Sequence, residues 1–371
     1  MVHLFINRVH LFNIDPHNIF ENLVSIMKSR SLPMEIEGDL IEFLQKEYSG
    51  YLNSLKRIKA YKEEKEEMEK ILFVVENSSN KIIQLLKFHR EGKISECYNQ
   101  AYMLFDSLIE QLPIATNKNN ANRYFYQPIQ KYNSIIRHNP FYRGRIDYFE
   151  NERKELFHVP IQKRELIKQG RYSIPGYPCL YLSNDPVLCW YECGEPEKIT
   201  MSKFEISSTQ TLKLIDFSAW SASYASELET KFLDLSNMQC DTRGILNILK
   251  RFICSYPLEL SCSIIGKSEN IAFREEYAIP QLLLQWVREK ERFDGIKYRS
   301  CSSVEGDVIN RGASFNIVLP TKKFRKDGLC ENLTGMIKVS SPYIFKIGND
   351  ERKMMDRIPF ENSIKDDYMK I

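Results

Sequence analysis

The chain has 371 residues, of which 43% are hydrophobic and 27% are charged, a composition typical of soluble globular proteins. The length is sufficient for two domains, and a net charge of +3 is too small to indicate nucleic acid or an anionic membrane as a partner. No apolar run approaches the roughly 18 residues of a membrane span, and the N-terminus lacks a signal-peptide pattern.

The cysteines and histidines narrow the chemistry further. Nine cysteines, an odd count without framework spacing, predict free thiols and a cytoplasmic protein. No histidine lies beyond residue 158, which argues against a Ser-His or Cys-His hydrolase in the larger C-terminal part. This leaves Cys189 and Cys193, four residues apart, with few partners for a zinc site. We therefore predict that both are buried helix residues and that the site holds no metal.

The N-terminal third of the chain has a helical pattern. After a lead-in of about 17 residues, with an edge strand as one option, apolar residues recur at helical spacing from residue 18 to about 114. A run of mixed charges at i, i+4 spacing predicts a long solvated helix. The predicted helices include residues 52–75, 80–91 and 94–111. The polar segment 116–122 predicts a boundary, and we expect an all-α regulatory or interaction domain at residues 1–137.

Beyond this boundary the pattern changes to short strands that alternate with modest helices, which predicts an α+β domain at residues 138–371. An alternating apolar pattern covers 204–217, and 273–287 is predicted as a strand followed by a buried helix. The other predicted elements are helices at 223–235 and 245–256 and strands at 295–300 and 314–320. The residues after about 321 are expected to form a C-terminal surface tail.

The richest set of local signals lies in residues 171–192. Prolines and a glycine at 175–178 predict a turn, and the apolar run that follows has the length and composition of a strand. Residues 183–185 offer a helix cap before Pro186, which suits the first helical position. An arginine leads into the turn, a tyrosine lies in the strand and a glutamate lies on the helix. These three residues, Arg171, Tyr181 and Glu192, indicate a ligand site.

Several short motifs surround this stretch in a fixed order. They are Phe141-Tyr142-Arg143, Leu156-Phe157-His158-Val159-Pro160, Arg171-Tyr172-Ser173 with Pro175-Gly176, Leu180-Tyr181-Leu182, Glu192 and Tyr298-Arg299-Ser300. In this order the motifs resemble the RES-domain family, named for its arginine, glutamate and serine, over about residues 138–320. The resemblance implies an ADP-ribosyltransferase-like mixed β core, here preceded by the helical domain, and the activity of bacterial toxins that consume NAD+.

The resemblance also implies a role for each matched residue. The catalytic set is Glu192, Arg143, Tyr181 and Ser300, and the substrate-binding set is Arg171, Tyr142, Arg145 and Tyr298. Two of these roles have a second candidate nearby. Arg145, two residues from Arg143, could be the functional arginine, and Ser302 or Ser303 could replace Ser300 as the functional serine. Each residue taken singly has an ordinary structural explanation, and the site is predicted because the residues occur together. His158 is expected to be a packed or hydrogen-bonding residue.

The implied chemistry suits these residue types. Cleavage of the nicotinamide–ribose bond of NAD+ passes through a state that resembles an oxocarbenium ion, as glycoside cleavage does. Nicotinamide is a cationic leaving group that needs no general acid, so a carboxylate near the developing positive charge, here Glu192, is what helps. The arginines would hold the pyrophosphate, and Tyr181 would stack on nicotinamide or ribose. Ser300 would bond a ribose hydroxyl or orient Glu192.

The sequence leaves the acceptor of the ADP-ribose open. Water would make the protein an NAD+ glycohydrolase, phosphate a phosphorylase, and a protein side chain an ADP-ribosyltransferase. A non-catalytic nucleotide-binding regulatory protein is the alternative from a different class. NAD+ is expected as substrate, without a further cofactor. The toxin resemblance implies a toxin–antitoxin or antiphage defence role, with an antitoxin or regulatory protein and a second copy of the chain as candidate partners, and neither membrane nor nucleic acid is expected.

Overall fold

The computed structural model of the protein describes residues 17–59, 64–116, 140–146, 152–207, 212–238, 240, 242–266, 273–301, 314–323, 325–348 and 360–371. The helices are α1 (His17–Lys28), α2 (Leu40–Lys56), α3 (Lys65–Arg90), α4 (Ile94–Leu108), α5 (Pro186–Glu192), α6 (Ala222–Asn237), α7 (Arg243–Cys262), α8 (Ala278–Glu289), α9 (Glu331–Met336) and α10 (Phe360–Ser363). The strands are β1 (Met34–Ile36), β2 (Ile114–Thr116), β3 (Phe141–Arg145), β4 (Cys179–Ser183), β5 (Lys198–Ile206), β6 (Lys213–Phe217), β7 (Ile264–Gly266), β8 (Gly295–Tyr298), β9 (Asn316–Pro320), β10 (Ile337–Val339) and β11 (Tyr343–Lys346). The predicted α+β class with a helical N-terminal region is confirmed.

Nine strands in the described ranges form one mixed sheet. Its order is β10-β5-β3-β4-β9-β8-β6-β2, and β11 pairs with β5 as β10 does. β6 and β8 are parallel, whereas the other neighbours are antiparallel. Ser183 at the end of β4 pairs with Tyr142 of β3 on one side and with Asn316 of β9 on the other. The strand β3, which carries Arg143, and the strand β4, which carries Tyr181, are therefore neighbours.

Two strand pairs and a common core join the helical region to the sheet region. β2, which follows α4, pairs with β6, and β1 pairs with β7 in a separate two-stranded parallel sheet. One hydrophobic cluster contains buried side chains of α1 to α4 together with those of α6, α7 and α8. Within it the rings of Phe20 and Phe232 stack at a centroid distance of 3.8 Å. Residue 138 and most of segment 116–122 lie outside the described residues, so the boundary between domains 1–137 and 138–371 stays a prediction.

The long helix α7 contains a proline, and tyrosines of α2 compensate for it. Pro257 has no N–H, so the carbonyl of Ile253, four residues earlier, loses its helical partner. The buried hydroxyl of Tyr51 donates to that carbonyl at 2.8 Å, and Tyr48 donates to the carbonyl of Pro257 at 2.8 Å. These contacts tie α2 to α7.

Across the described ranges, α7 included, the helices lack the combination of length and hydrophobicity that a membrane-spanning segment requires.

The predicted helix at 52–75 is wrong as a single element. α2 ends at Lys56, and α3 begins at Lys65 and continues through the residues predicted as a separate helix at 80–91. Lys56 Nζ lies 3.7 Å from Glu76 Oε1, so the two helices run side by side. The same i, i+4 charge spacing is expected in one long helix and in two neighbouring ones, and the sequence therefore did not reveal where α2 ends and α3 begins.

The predicted strand at the start of 273–287 is also wrong. Residues Glu275–Tyr277 form a 3₁₀ turn before α8, and Glu275 pairs with Arg90 at the end of α3. Glu276 is buried close to Gly266, where a Cβ would lie 2.7 Å from the glutamate Oε1 atom. Contacts with α3 and β7, which are distant in sequence, thus determine the shape of this segment. The alternating pattern at 204–217 covers the end of β5 and the whole of β6.

The segment after residue 321 differs from the surface tail that was predicted. β10 and β11 both pair with β5 and extend the sheet. Phe360 and Ile364 are buried in a cluster with Trp190 of α5. The strands β10 and β11 and the helix α10, which begins at Phe360, gain their partners only through tertiary contacts. The local pattern of the sequence was therefore not sufficient to assign them.

Candidate functional site

A cavity of about 870 Å³ is lined by residues of β3, β4, α5 and β7 and of the turn at Glu275–Tyr277. Its volume is in the range of small-molecule sites, roughly 300–1,000 Å³. The predicted site residues that line it are Tyr142, Arg143, Arg171, Tyr181, Glu192 and Tyr298. Ser300 contacts Glu192, whereas Arg145 is not among the described lining residues. The rival serines Ser302 and Ser303 lie outside the described residues.

Helix α5 places Glu192 at the cavity through its capping and packing. The side chain of Asp185 accepts hydrogen bonds from two backbone N–H groups of the first turn at 2.7 and 3.0 Å, and Pro186 is the first helical residue. Trp190 is fully buried and donates from Nε1 to the carbonyl of Pro196 at 3.0 Å. The predicted cap and helix start are confirmed, and the seven-residue helix ends at Glu192.

Glu192 is the point at which three elements meet. Its Oε1 atom accepts hydrogen bonds from Ser300 Oγ at 2.5 Å and from Asn316 Nδ2 at 2.9 Å. Ser300 follows β8 and Asn316 begins β9, so the pairing of these two strands brings both donors to the end of α5. The structure therefore brings the predicted glutamate and serine into contact at the wall of the cavity.

Strand β3 supplies a half-buried arginine of the cavity. Arg143 Nη1 donates to the carbonyl of Tyr181 at 3.0 Å. Burial, with the charge of Arg145 as a second cause, lowers the pKa of Arg143 to about 10, so the guanidinium stays cationic at neutral pH. Gly144 allows β3 to pack closely on β5, because a Cβ there would lie 2.5 Å from Ile199 Cδ1. Arg145 donates to the backbone carbonyl of Phe157 at 3.2 Å. Of these two neighbouring arginines, Arg143 is the one among the described lining residues of the cavity.

Two of the predicted tyrosines contribute half-buried rings. The Tyr181 hydroxyl donates to the backbone carbonyl of Tyr172, and burial raises the pKa of Tyr181 well above its usual value. The Tyr298 ring lies against that of Tyr172 with centroids 4.6 Å apart, and burial raises its pKa as well. Because the Tyr181 hydroxyl is already bonded to the turn that carries Arg171, its ring is the part available for stacking on a ligand.

A second wall of the cavity is cationic and aromatic. Arg171 Nη1 donates to a backbone carbonyl at the end of α7 at 3.3 Å, and its guanidinium carbon lies 5.0 Å from the centre of the Tyr277 ring. The guanidinium carbon of Arg274 lies 5.5 Å from the same ring centre. Together with Arg143, these arginines and the carboxylate of Glu192 suit a ligand that carries both phosphate groups and a positive charge.

Sequence reasoning missed Asn316, Arg274 and Tyr277 as lining residues. Asn316 is a polar residue at the head of an apolar strand and is only 3% exposed, which is the signal of a side chain with a specific partner. Arg274 and Tyr277 lie in the segment that was predicted as a strand. The error in that prediction concealed them, because the 3₁₀ turn presents both side chains to one cavity.

His158 is a packed residue, as expected, and is not among the described lining residues. Its Nδ1 atom lies 2.9 Å from the carbonyl of Val159, and its Nε2 atom lies 2.8 Å from the backbone nitrogen of Cys330. The Cys330 N–H can only donate, so Nε2 accepts and Nδ1 carries the proton. Burial lowers the pKa of His158 to about 4, and the ring is therefore neutral at pH 7.

The two cysteines near Glu192 differ in their surroundings. Cys189 is buried in α5, as predicted, whereas Cys193 follows the last helical residue and lines the cavity half-buried. A hydrogen bond from the Cys189 thiol lowers the pKa of Cys193. The prediction of two buried helix residues is therefore wrong for Cys193, because α5 ends one residue earlier.

Among the residues that the structure describes, no group of three or more His, Cys, Asp or Glu side chains is arranged to hold a metal ion.

An arginine and a glutamate thus line one cavity of an α+β fold, and a serine is bonded to the glutamate; these are the three residue types after which RES domains are named. The family model of the RES domain matches residues 145–327, so this part of the chain is similar to RES domains. Over 346 residues it is 26% identical to "Putative toxin YopC" of Bacillus subtilis (strain 168), with 91% of this chain and 74% of that protein covered. The similarity therefore extends beyond the RES domain into the helical region. No solved structure is significantly similar to the chain.

Proposed function

We propose that the protein cleaves the bond between nicotinamide and ribose in NAD+ and transfers the ADP-ribose to water. The products are nicotinamide, ADP-ribose and a proton. The observation that carries the proposal is the contact of Glu192 with Ser300 at a cavity that Arg143 and Arg171 also line. A carboxylate held in place beside cationic side chains suits a substrate that is anionic at its pyrophosphate and cationic at its nicotinamide ring.

Each side chain has a defined part in this reaction. Arg143 and Arg171 bind the pyrophosphate, and the ring of Tyr181 covers the nicotinamide or ribose face. As the glycosidic bond lengthens, positive charge develops on the ribose, and the Glu192 carboxylate stabilises it. Ser300 keeps the carboxylate in its orientation through the 2.5 Å hydrogen bond. Nicotinamide leaves without protonation because its departure neutralises its own charge.

We further propose that this reaction makes the protein a toxin that acts in the cytoplasm, where it would deplete NAD+. The name of the Bacillus subtilis relative, which describes that protein as a toxin, supports this part of the proposal. A toxin of this kind requires restraint by an antitoxin or another regulatory protein, and antiphage defence is a role in which NAD+ depletion is useful. Expression of the intact chain and of its Glu192→Gln variant, with cellular NAD+ measured during growth arrest, tests this part.

The reaction itself is tested with the purified full-length chain. Nicotinamide release from NAD+ is followed by chromatography with and without phosphate. We expect release in water alone, and we expect Glu192→Gln to reduce kcat by about 100-fold or more, the usual effect of removing a group that stabilises transition-state charge. The Kd for NAD+ should change little, because the arginines are intact. Glu195→Gln, which removes a second carboxylate that lines the cavity, serves as the matched control and should retain turnover.

The outcomes separate the alternative activities. Release that depends on phosphate would identify a phosphorylase, and release that depends on an added protein acceptor would identify an ADP-ribosyltransferase. Binding of NAD+ without turnover under all these conditions would favour a nucleotide-binding regulatory protein. If the chain neither binds nor cleaves NAD+, the proposed function is wrong.

A further inference from the structure

Behind Glu192 lies a chain of hydrogen bonds that the motif residues do not explain. Asn316 Nδ2 donates to Glu192 Oε1 at 2.9 Å, and Ser183 Oγ donates to Asn316 Oδ1 at 2.5 Å. Asn316 is 3% exposed and Ser183 is 5% exposed, so both side chains are withdrawn from bulk water. Together with Ser300, they hold the carboxylate from the side of the sheet.

The chemistry of the three groups determines the direction of this chain. An ionised carboxylate only accepts hydrogen bonds, so Asn316 must turn its NH₂ group toward Glu192. Its carbonyl oxygen then faces Ser183, whose hydroxyl must donate. The backbone register supports this arrangement, because Ser183 and Asn316 are directly paired residues of β4 and β9. The amide has one orientation that satisfies both neighbours.

We propose that Asn316 is a positioning residue that orients the Glu192 carboxylate toward the cavity, and that Ser183 fixes the amide of Asn316 in the required orientation. The inference rests on the proposed function, since it assigns Glu192 the task of stabilising charge on the ribose. Ser300 and Asn316 donate to the same oxygen, Oε1, so they restrict the rotation of the carboxylate from two directions. Asn316 begins β9 and Ser300 follows β8, so both donors are held by the pairing of these two strands.

A purely structural role for Asn316 would make a different prediction from a positioning role. Asn184, the residue after Ser183, also joins β4 to β9, because its Oδ1 atom accepts from the backbone N–H of Phe315 at 2.7 Å. Asn184 makes this contact to the backbone and not to Glu192. Loss of strand pairing alone should therefore affect Asn184→Ala and Asn316→Ala alike, whereas loss of carboxylate orientation should affect only the latter.

The test compares four variants of the full-length chain, Asn316→Asp, Asn316→Ala, Ser183→Ala and Asn184→Ala, by their kcat, KM and thermal stability. Asn316→Asp keeps the shape of the side chain but replaces the donor with a carboxylate that repels Glu192. We expect it to lower kcat about 100-fold, and Asn316→Ala to lower kcat about 10-fold, with KM changed less than about threefold. Ser183→Ala should have a smaller effect in the same direction, and Asn184→Ala should leave kcat within about twofold.

A crystal structure of Asn316→Asp at the same pH and resolution as the wild type gives a readout that does not depend on activity. The Glu192 carboxylate should be turned away from position 316 and no longer bonded to Ser300. An unchanged Glu192 orientation, or a kcat that falls less in Asn316→Asp than in Ala, would overturn the positioning role. If the wild type releases no nicotinamide, the proposed function is wrong, and the comparison of the two crystal structures still decides the role of Asn316.

Discussion

The hydrogen bonds of His158 determine both its tautomer and its effect on stability. The ring is neutral, with the proton on Nδ1, because the Cys330 N–H occupies Nε2. Its pKa in the folded protein is about 4, below the ordinary value near 6.5 that applies in the unfolded chain. The unfolded state therefore binds the additional proton first as the pH falls. This contribution to stability is present above pH 6.5 and is lost as the pH falls toward 4.

We therefore expect His158 to reduce the free energy of unfolding by up to about 2 kcal/mol between pH 7 and pH 5. The variant His158→Gln should be less stable than the wild type at pH 7, since it disturbs the bond to Cys330. Its stability should change less over the same pH interval, because the amide does not titrate. Denaturant unfolding of both proteins at pH 7, 6 and 5 measures the difference. Parallel pH profiles for the two proteins would contradict the assignment of a neutral ring.

For single residues, the sequence predicts the contacts of the site that follow from the order of the motifs. It does not predict the contacts that follow from the register of paired strands. Glu192 and Ser300 are 108 residues apart, but each lies in a recognisable motif, and the structure places them in contact. Asn316 and Ser183 are 133 residues apart, and their bond exists because β4 and β9 pair at that register. Register was not predictable here, because both strands have apolar residues on either face.

At the scale of single elements, α5 is the helix on which the candidate site depends. It has seven residues, and its own hydrogen bonds are too few to make it stable alone. Capping by Asp185 and the packing of Trp190 against Phe360 of α10, with ring centroids 6.4 Å apart, compensate for the short length. The C-terminal segment thus lies behind the helix that carries Glu192 and supports it.

We expect Asp185→Ala to lower both stability and turnover. Loss of the cap should cost about 1 kcal/mol, and fraying of so short a helix should displace Glu192 enough to lower kcat about fivefold to tenfold. Ser221→Ala is the matched control, because Ser221 caps the 16-residue helix α6 by accepting from the Tyr224 N–H. Thermal melting should show similar losses for both variants, with reduced nicotinamide release only for Asp185→Ala. Equal effects on turnover would indicate that helix capping at α5 has no special importance for the site.

Local signals predicted the elements that carry their own start and stop residues. The strand β4 and the helix α5 were predicted because a turn, an apolar run, an Asx cap and a proline follow one another within residues 171–192. The turn at Glu275–Tyr277 was not predicted, because its shape depends on the ion pair of Glu275 with Arg90 and on the close approach of Glu276 to Gly266. β10 and β11 were missed for the same reason, since both are defined by pairing with β5.

For the whole molecule, the helical region is part of the structure that supports the cavity. Its side chains share one hydrophobic cluster with α6, α7 and α8, and β2 completes an edge of the sheet. Arg90 at the end of α3 pairs with both Asp39 and Glu275, and the latter begins the turn that brings Tyr277 to Arg171. These contacts join the helical region to the turn that contributes Tyr277 to the cationic wall.

A fragment of residues 138–371 is therefore expected not to fold as a separate unit. Removal of α1 to α4 would expose the apolar faces of α7 and α8 and would leave β6 and β7 without their partners β2 and β1. Circular dichroism melting and size-exclusion chromatography should show an aggregated fragment without a cooperative transition. Co-expression of residues 1–137 and 138–371 as two chains is the control, and it should give a soluble complex because the shared core can re-form. A monomeric fragment that melts cooperatively and cleaves NAD+ faster than the intact chain would contradict this expectation, and it would support self-inhibition by the helical region instead.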